Sequence, residues 1–517
     1  MERNLDQYDL VVIGGGVNGT GIARDASGRG LTVLLCEKDD LAAHTSSAST
    51  KLIHGGLRYL EYFEFRLVRK ALLERELLLK AAPHIMGPLR FVMPHDPAMR
   101  PTWMIRAGLF LYDHLAPREF LPASTALKLA SHPAGAALKP GFTHGFAYSD
   151  GWVDDARLVV LNAVDAGHRG AVIAPRTGCV GATRDAAGWT VTLRDAFTRE
   201  SRKVRARALV NAAGPWVAQF LAQDLRVTSR HKIRLIKGSH IIVAKLFEHP
   251  YAYLFQNPDR RILFAIPYER EFTLIGTTDV EYDGNPERMT ISGEETRYLC
   301  QMANRYFRKA IGPEDVVRSY SGVRPLLEDD AADAAAVTRD YWLELNCDGA
   351  PIVSVFGGKI TTFRRLAEEA MDLLLPALGV SDAIRRHWTA HAALPGGDLP
   401  DADFDAFLAT LLRNNPWLPP ALARRYAHAY GTYVTRLLGS AKNLADLGEE
   451  IAPGLFTQEL KYLAEHEWAR DGEDILWRRT KLGLHLNSSE CAAVERWMDQ
   501  HIGRRAPDSV DATGSLS

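Results

Sequence analysis

Gly14, Gly16 and Gly19 fit G-x-G-x-x-G, and Glu37 follows roughly 20 residues on, the types and spacing that hold a dinucleotide. Bare glycine backbone allows a tight turn and a close approach to a pyrophosphate. A helix N-terminus behind the glycines offers unpaired N–H groups and positive dipole charge, and a carboxylate at the next strand end accepts hydrogen bonds from ribose hydroxyls. Two further stretches suit a longer cofactor than NAD. The hydroxyl-rich run HTSSASTK (44–51) leads into HGGLR (54–58), and its side chains could follow the pyrophosphate and ribityl chain of FAD. In SVFGGKITT (354–362) a buried strand ends at Gly357 and Gly358 and a helix begins. The dipole of that second N-terminus would stabilise negative charge on a reduced flavin ring. The alternatives are an ordinary polar loop and a packing turn.

The elements that must position these residues follow from periodicity. YDLVVI (8–13) and LTVLLCE (31–37) read as buried strands around a helix at 17–29, the start of a parallel sheet. RLVRKALLERELLLKAA (66–82) is an amphipathic helix closed by Pro83. Residues 89–144 are richer in proline and read as an insertion from another layer. A helix from about 157 leads to a strand, a hairpin and a buried strand at 208–212, and residues 231–280 alternate as a mostly antiparallel sheet suited to a substrate platform. Residues 351–375 are strand, glycine turn and helix, and beyond about 390 the chain is helical and rich in tryptophan. The expected fold class is α/β. A Rossmann-like FAD domain with a parallel sheet takes 1–88, 145–230 and 325–385. A substrate-binding, membrane-facing sheet takes 89–144 and 231–324. An all-α cap takes 390–503, and a disordered tail takes 504–517.

The 517 residues, 46% hydrophobic and 24% charged, are enough for two or three domains and a large core. A net charge of −1 gives no bulk attraction to nucleic acid, so any anion site is a local cluster. The five cysteines lack a C-x-x-C pair, which argues against zinc and against a disulfide framework. No secretory signal is visible and no apolar run approaches the ~20 residues that span a bilayer. The expectation is an intracellular protein that does not cross a membrane, with contact at a membrane surface left open.

Taken in order, VIGGGVNGTGIARDASGRG, TSSASTKLIHGGLRYLE, YSDGWVDDARLV, NAAGPWV, RLIKGSHI, IGTTDVEY, SYSGVRPL and FGGKITTFRRLAE resemble the FAD-dependent glycerol-3-phosphate dehydrogenases. These are relatives of D-amino-acid and glycine oxidases. The resemblance runs from about residue 8 to the end of the helical region, where EHEWARDGEDILWRRTKLGLHL (465–486) is similar to that family's C-terminal domain. The calcium-binding extension of mitochondrial members is absent, so the chain resembles the bacterial type. The resemblance implies oxidation of sn-glycerol 3-phosphate to dihydroxyacetone phosphate, with hydride passing from C2 to flavin N5 and electrons going on to a membrane quinone. It implies a homodimer bound peripherally to the phospholipid surface on the cytoplasmic face of the inner membrane, with no nucleic-acid partner. Carried over residue by residue, it assigns the cofactor to Gly14, Gly16, Gly19, Glu37, Thr45, Ser46, Ser47, Ser49, Lys51, Gly55 and Gly56. The same assignment covers Val180, Gly214, Gly357, Gly358, Lys359, Ile360 and Thr361. Substrate binding falls to Arg58, Tyr59, Thr278, Arg324, Arg339 and Lys359.

The chemistry fits a small phosphorylated alcohol. Arginine forks grip phosphate oxygens in pairs and stay charged, which suits Arg58, Arg324 and Arg339. Lys359 supports the flavin ring or the phosphate. Removing the hydroxyl proton needs a base, and His240 in KGSHIIV is the first choice, with His54 the runner-up. Arg324 is grouped with them in the catalytic set, although arginine is a poor base. Thr278 and Asp279 end a strand near the same pocket. RPTWMIRAGLFLYDHLAPR (100–118) is either a core helix or a helix lying in the headgroup layer, aromatics down and arginines on phosphates. The competing readings are an oxidase that reduces O2 with the same or another small substrate, a non-catalytic flavoprotein, and an NAD-linked dehydrogenase.

Overall fold

In the computed structural model of the protein, residues 6–96, 100–229, 231–259, 261–327, 340–380 and 387–503 are described. The tail 504–517 and Arg339 lie outside these residues. Gln7–Ile13 is flanked in parallel by Val33–Cys36 and Ser201–Asn211, with Ile352–Gly357 and Val172–Ala174 extending the sheet on either side. The central strands read as continuous apolar runs because both faces are covered, one by helices and the other by the short helix Val217–Gln223 with Trp189, Val191 and Leu193 of an antiparallel hairpin. Val17–Gly28 packs on one face beside Asp155–His168 and Phe363–Ala377, and Leu10, Val12, Ile22, Ala26, Val159 and Leu366 fill the space between. Thr177–Asp185 and Gly188–Asp195 hang from Ser201–Asn211 as an antiparallel hairpin, and Tyr341–Asn346 closes the far edge antiparallel to Ile352–Gly357.

A second, larger sheet is mostly antiparallel. Ile233–Ala244 pairs with Val316–Leu327 on one side and Phe272–Gly276 on the other, and the order continues through Ile262–Tyr268, Ala252–Gln256, Met86–Pro94 and His144–Val153 to Leu52–Ile53. One pair, Ala252–Gln256 with Met86–Pro94, is parallel. The domain seams differ from expectation here. Leu52–Ile53 and, beyond His144, all of His144–Val153, allotted above to the dinucleotide domain, are strands of this second sheet, because Met86–Pro94 offers His144–Val153 a nine-residue antiparallel ladder from Met86↔Val153 to Pro94↔Gly145. The short Leu52–Ile53 strand then carries the chain straight from this second sheet into the His54–Arg58 turn.

The C-terminal region is helical, with Phe404–Asn414, Pro420–Tyr430, Thr457–His466 and Ser488–His501 as its main helices, and it has its own core of Leu408, Tyr426, Tyr430, Leu460, Leu463 and Trp497. A two-strand ribbon, Glu450–Ala452 with Leu455–Phe456, interrupts it.

Candidate active site

The glycine turn is built as its chemistry demands. Gly14 sits at φ +115°, in the region that glycine tolerates, and a Cβ there would lie 2.4 Å from the carbonyl of Ala212. Gly16 caps the helix Val17–Gly28, and the first helical N–H, from Val17, donates to Ser46 Oγ at 3.0 Å. The Gly15 N–H donates to Glu37 Oε2 at 2.6 Å and the Asp39 N–H donates to Glu37 Oε1 at 2.9 Å, so the backbone orients this carboxylate at its strand end. Gly19 does not face the cavity. A Cβ there would collide with the Gly14 carbonyl at 1.9 Å, so this glycine lets helix and turn pack.

From this turn one cavity of about 520 Å³ runs to the other predicted motif, within the ~300–1,000 Å³ typical of cofactor clefts. Gly14, Gly16, Glu37, Thr45, Ser46, Ser49 and Gly214 line it at and beyond the nucleotide end, and Gly56, Gly357, Gly358, Lys359 and Ile360 line it further along. The Asn18 amide donates to the Gly357 carbonyl at 3.3 Å, tying the first helix to the second glycine turn. A long, bent cradle with bare glycine at both ends and an acid at one of them fits an extended dinucleotide.

Several expected contacts are made elsewhere. Ser47 and Lys51 face away from the cavity, because Lys51 is buried and its ammonium donates to both oxygens of Asp155 at 2.8 and 2.7 Å and to the Ser47 carbonyl. Ser49 lines the cavity, but its hydroxyl donates to the same Asp155. Val180 projects outward from its strand at 40% exposure, and its neighbours Gly178 and Cys179 supply the lining. Gly55 is packed rather than cavity-lining. Its N–H donates to the Tyr112 hydroxyl at 2.9 Å, and a Cβ would meet Leu72 at 2.5 Å. The Thr361 hydroxyl accepts from the His54 N–H at 3.1 Å, and it fixes the turn from behind without reaching the cavity.

At the ring end His54, Arg58, Tyr59, Arg324 and Lys359 come together on the lining. The Lys359 ammonium lies 3.7 Å above the Tyr59 ring. Arg324 donates to Asp279 Oδ1 at 2.6 Å and to Thr277 Oγ1 at 3.2 Å. Thr277 therefore replaces the expected Thr278, which is 1% exposed and spends its hydroxyl on Glu295. Sequence reasoning missed Gly238, Gly322 and Thr277. Gly238 and Gly322 face each other across the ladder of Ile233–Ala244 with Val316–Leu327. A Cβ on Gly238 would meet Arg324 Nη2 at 2.6 Å and Thr277 Oγ1 at 2.7 Å, and one on Gly322 would meet Ala48 at 2.9 Å. Bare mid-strand glycines thus let Arg324 lie flat on the sheet and let the loop Thr45–Lys51 cross it. Glycine inside a strand pattern is the signal that points to such an approach.

That crossing loop also removes His240 from the cavity. Its Nε2 is paired with Thr50 Oγ1 at 3.0 Å, its ring stacks on Tyr320 at 4.8 Å, and Thr50 rather than His240 lines the cavity. Burial, aided by the charges of Arg324 and Lys51, holds its imidazole well below the ordinary histidine range.

Comparison with known proteins agrees with this geometry. A family model described as FAD dependent oxidoreductase matches residues 9–364, and one described as C-terminal domain of alpha-glycerophosphate oxidase matches 387–503. The chain is 54% identical to a glycerol-3-phosphate dehydrogenase of Pseudomonas aeruginosa, covering 96% of both chains. It is 51% identical to a D-erythritol 1-phosphate dehydrogenase of Brucella abortus, over 95% of this chain and 97% of that one. Among solved structures, a glycerol-3-phosphate dehydrogenase of Bacillus halodurans complexed with FAD superimposes with a TM-score of 0.78 at 29% identity, over 98% of this chain and 92% of that one. The chain belongs to the FAD-dependent oxidoreductases, within them to the glycerol-3-phosphate dehydrogenase family, and its cofactor is FAD.

Proposed function

We propose that the protein oxidises sn-glycerol 3-phosphate to dihydroxyacetone phosphate and passes the electrons to a membrane quinone. One observation carries the substrate reading, namely the cationic end of the FAD cavity. Arg58, Arg324 and Lys359 bring three positive charges there and Asp279 one negative, which leaves two among the described residues to match a phosphate dianion. Asp279 and Thr277 hold the Arg324 fork in place, so it meets the phosphate without first being ordered. FAD, when bound, supplies the two-electron acceptor for the hydride leaving C2. His54 takes the hydroxyl proton in this reading, because it lines the cavity next to the Gly55–Gly56 turn and its backbone is clamped on Thr361, whereas His240 is sealed beneath Thr50. Anaerobic addition of glycerol 3-phosphate should bleach the oxidised flavin band, and glycerol should not. An unbleached flavin would end the reading.

A second substrate deserves a direct comparison. The 51% identity to a D-erythritol 1-phosphate dehydrogenase makes a four-carbon polyol phosphate the competing reading. The same phosphate grip serves both, so the ratio of kcat/KM for the two substrates decides between them.

An aromatic and basic surface patch supports the quinone and membrane reading. Trp103 and Phe110 on the helix Thr102–His114 are 69% and 65% exposed, and Phe63, just past Leu57–Tyr62, is 78% exposed. Arg66, Arg69 and Arg106 are exposed beside them, and Arg100 bonds Glu61 at 2.7 Å to tie the two segments together. Aromatics with arginines among them suit an anionic lipid surface. The inner face of the same helix is conventional core, with Ile105, Leu109 and Tyr112 buried. Among the described residues no helix is long and apolar enough to cross a membrane. Because Leu57, Arg58 and Tyr59 line the cavity and Phe63 lies four residues beyond Tyr59, the patch adjoins the catalytic end, where a lipid-dissolved acceptor would arrive.

A further inference from the structure

The segment 465–486 contributes nothing to the FAD cavity, yet Glu467, Asp474, Arg478, Arg479 and Lys481 are all buried within it. Its Arg478 donates from Nε to Asp40 Oδ2 at 2.6 Å, and Arg479 donates to both oxygens of the same carboxylate, at 2.6 and 2.9 Å. Asp40 and Arg479 are each 1% exposed. Arg479 also donates to the Glu467 carbonyl at 2.6 Å, and Glu467 in turn holds Arg157 of the helix Asp155–His168 through both its oxygens. Arg176, at the end of the strand Val172–Ala174, reaches Asp474 at 2.8 Å.

Asp40 is the informative member. It lies three residues after Glu37, in the loop that continues to Thr45 and Ser46. On either side that loop is in contact with the glycine fingerprint. The Ala42 N–H donates to the Gly15 carbonyl at 3.1 Å, Leu41 lies 3.0 Å from where a Gly15 Cβ would be, and Ser46 accepts from Val17. Among the described residues, the side-chain partners of the Asp40 carboxylate are the two C-terminal arginines alone. A carboxylate this buried is tolerated only while it is paired. Undocking the C-terminal domain would force Asp40 out to water, taking with it the loop that aims Glu37 and Ser46. The separate family models for residues 9–364 and 387–503 mark the two partners of this contact as distinct modules.

We propose that the C-terminal domain is a cofactor-retention clamp, in which Arg478 and Arg479, as positioning residues, neutralise Asp40 and lock the loop 38–46 in its FAD-binding form. FAD binding and C-terminal docking then reinforce each other, and linkage requires the effect to run both ways. The proposal rests on FAD as cofactor and not on the choice of substrate, and its test contains no substrate. Arg479→Lys keeps the charge but loses the fork. Arg425→Lys is the control, since Arg425 grips Glu459 at 2.6 Å through both oxygens inside the C-terminal domain, away from the loop. Full-length apoprotein is titrated with FAD by flavin fluorescence, and Tm is read with and without FAD. Arg479→Lys should weaken FAD about 10-fold, within the roughly 5–150-fold usual for coupled sites, and shrink the rise in Tm that FAD gives. Arg425→Lys should lower both Tm values together and leave FAD affinity unchanged. In the unmodified protein, hydrogen exchange over 467–481 should slow when FAD is added, and more than over 404–414. That measurement decides the matter if Arg479→Lys does not fold. Unchanged FAD affinity in Arg479→Lys, or exchange over 467–481 indifferent to FAD, overturns the clamp.

Discussion

Gly238 interrupts the buried run Ile236–Val243 of its strand, and Arg324 is the reason. The guanidinium lies where a Cβ would be, 2.6 Å away. Gly238→Ala should displace that fork while leaving the fingerprint turn intact, so FAD content stays normal and KM for the phosphorylated substrate rises about 10-fold, the cost of roughly 1.4 kcal/mol of lost contact. Steady-state kinetics on flavin-replete protein checks this, and a raised KM with little change in kcat is the signature of lost binding. The two histidines give a sharper contrast. His54→Gln should slow flavin reduction about 10²–10⁴-fold, the usual worth of a positioned base, and His240→Gln should slow it far less, as measured by anaerobic stopped flow. At this scale the sequence was legible wherever a motif is local. Gly14, Gly16, Glu37 and the turn at Gly357–Gly358 fall on the cavity because each carries its own backbone geometry. The exceptions depend on chain arriving from elsewhere. Lys51 is claimed by Asp155 and His240 is covered by Thr50, partners 104 and 190 residues distant.

Among elements, the strand–helix–strand opening and the helices near 66 and 363 were readable because their apolar periods are long and continuous. The strand His144–Val153 was misallotted because nothing in its own alternation names its partner. A ladder with Met86–Pro94 decides which sheet it joins. Packing between modules is equally silent in sequence, and His84 shows what it costs. It is fully buried where Gly396 and Gly431 approach, and its carbonyl accepts from His428 Nδ1 at 2.8 Å. Burial first, then the charge of Arg157, lowers its pKa from 6.5 to about 3. The unfolded chain therefore binds the extra proton between those values. The contribution of His84 to stability is whole above the ordinary histidine pKa and is lost as pH falls through the window. Each pH unit there is worth up to about 1.4 kcal/mol. Between about pH 6 and about pH 5, urea unfolding of the native sequence should lose about 1 kcal/mol more stability than His84→Asn. Parallel losses in both proteins would remove His84 as the source.

For the whole molecule, the proposed quinone acceptor raises the question of how electrons would leave the FAD cavity for a compound dissolved in lipid. The patch of Phe63, Trp103 and Phe110 answers it only if it meets the bilayer, and its composition allows that without a spanning helix. Burying three aromatic side chains against acyl chains is worth roughly 1.5–3 kcal/mol each, and each nearby arginine adds about 1 kcal/mol on an anionic surface. Either contribution alone leaves binding weak and reversible, so the patch needs both. Two variants separate them. Replacing Trp103 and Phe110 by serine should sharply reduce sedimentation with vesicles rich in anionic lipid and leave a weak remainder that salt removes, because most of the apolar contact is lost. Replacing Arg66, Arg69 and Arg106 by glutamine should leave binding that no longer depends on salt, since the screened part is gone. In both, the FAD cavity is untouched, so reduction of a water-soluble dye by substrate should continue at the native rate while reduction of a quinone embedded in the vesicles falls. If quinone reduction holds steady in the serine variant, this surface is not where the acceptor is met.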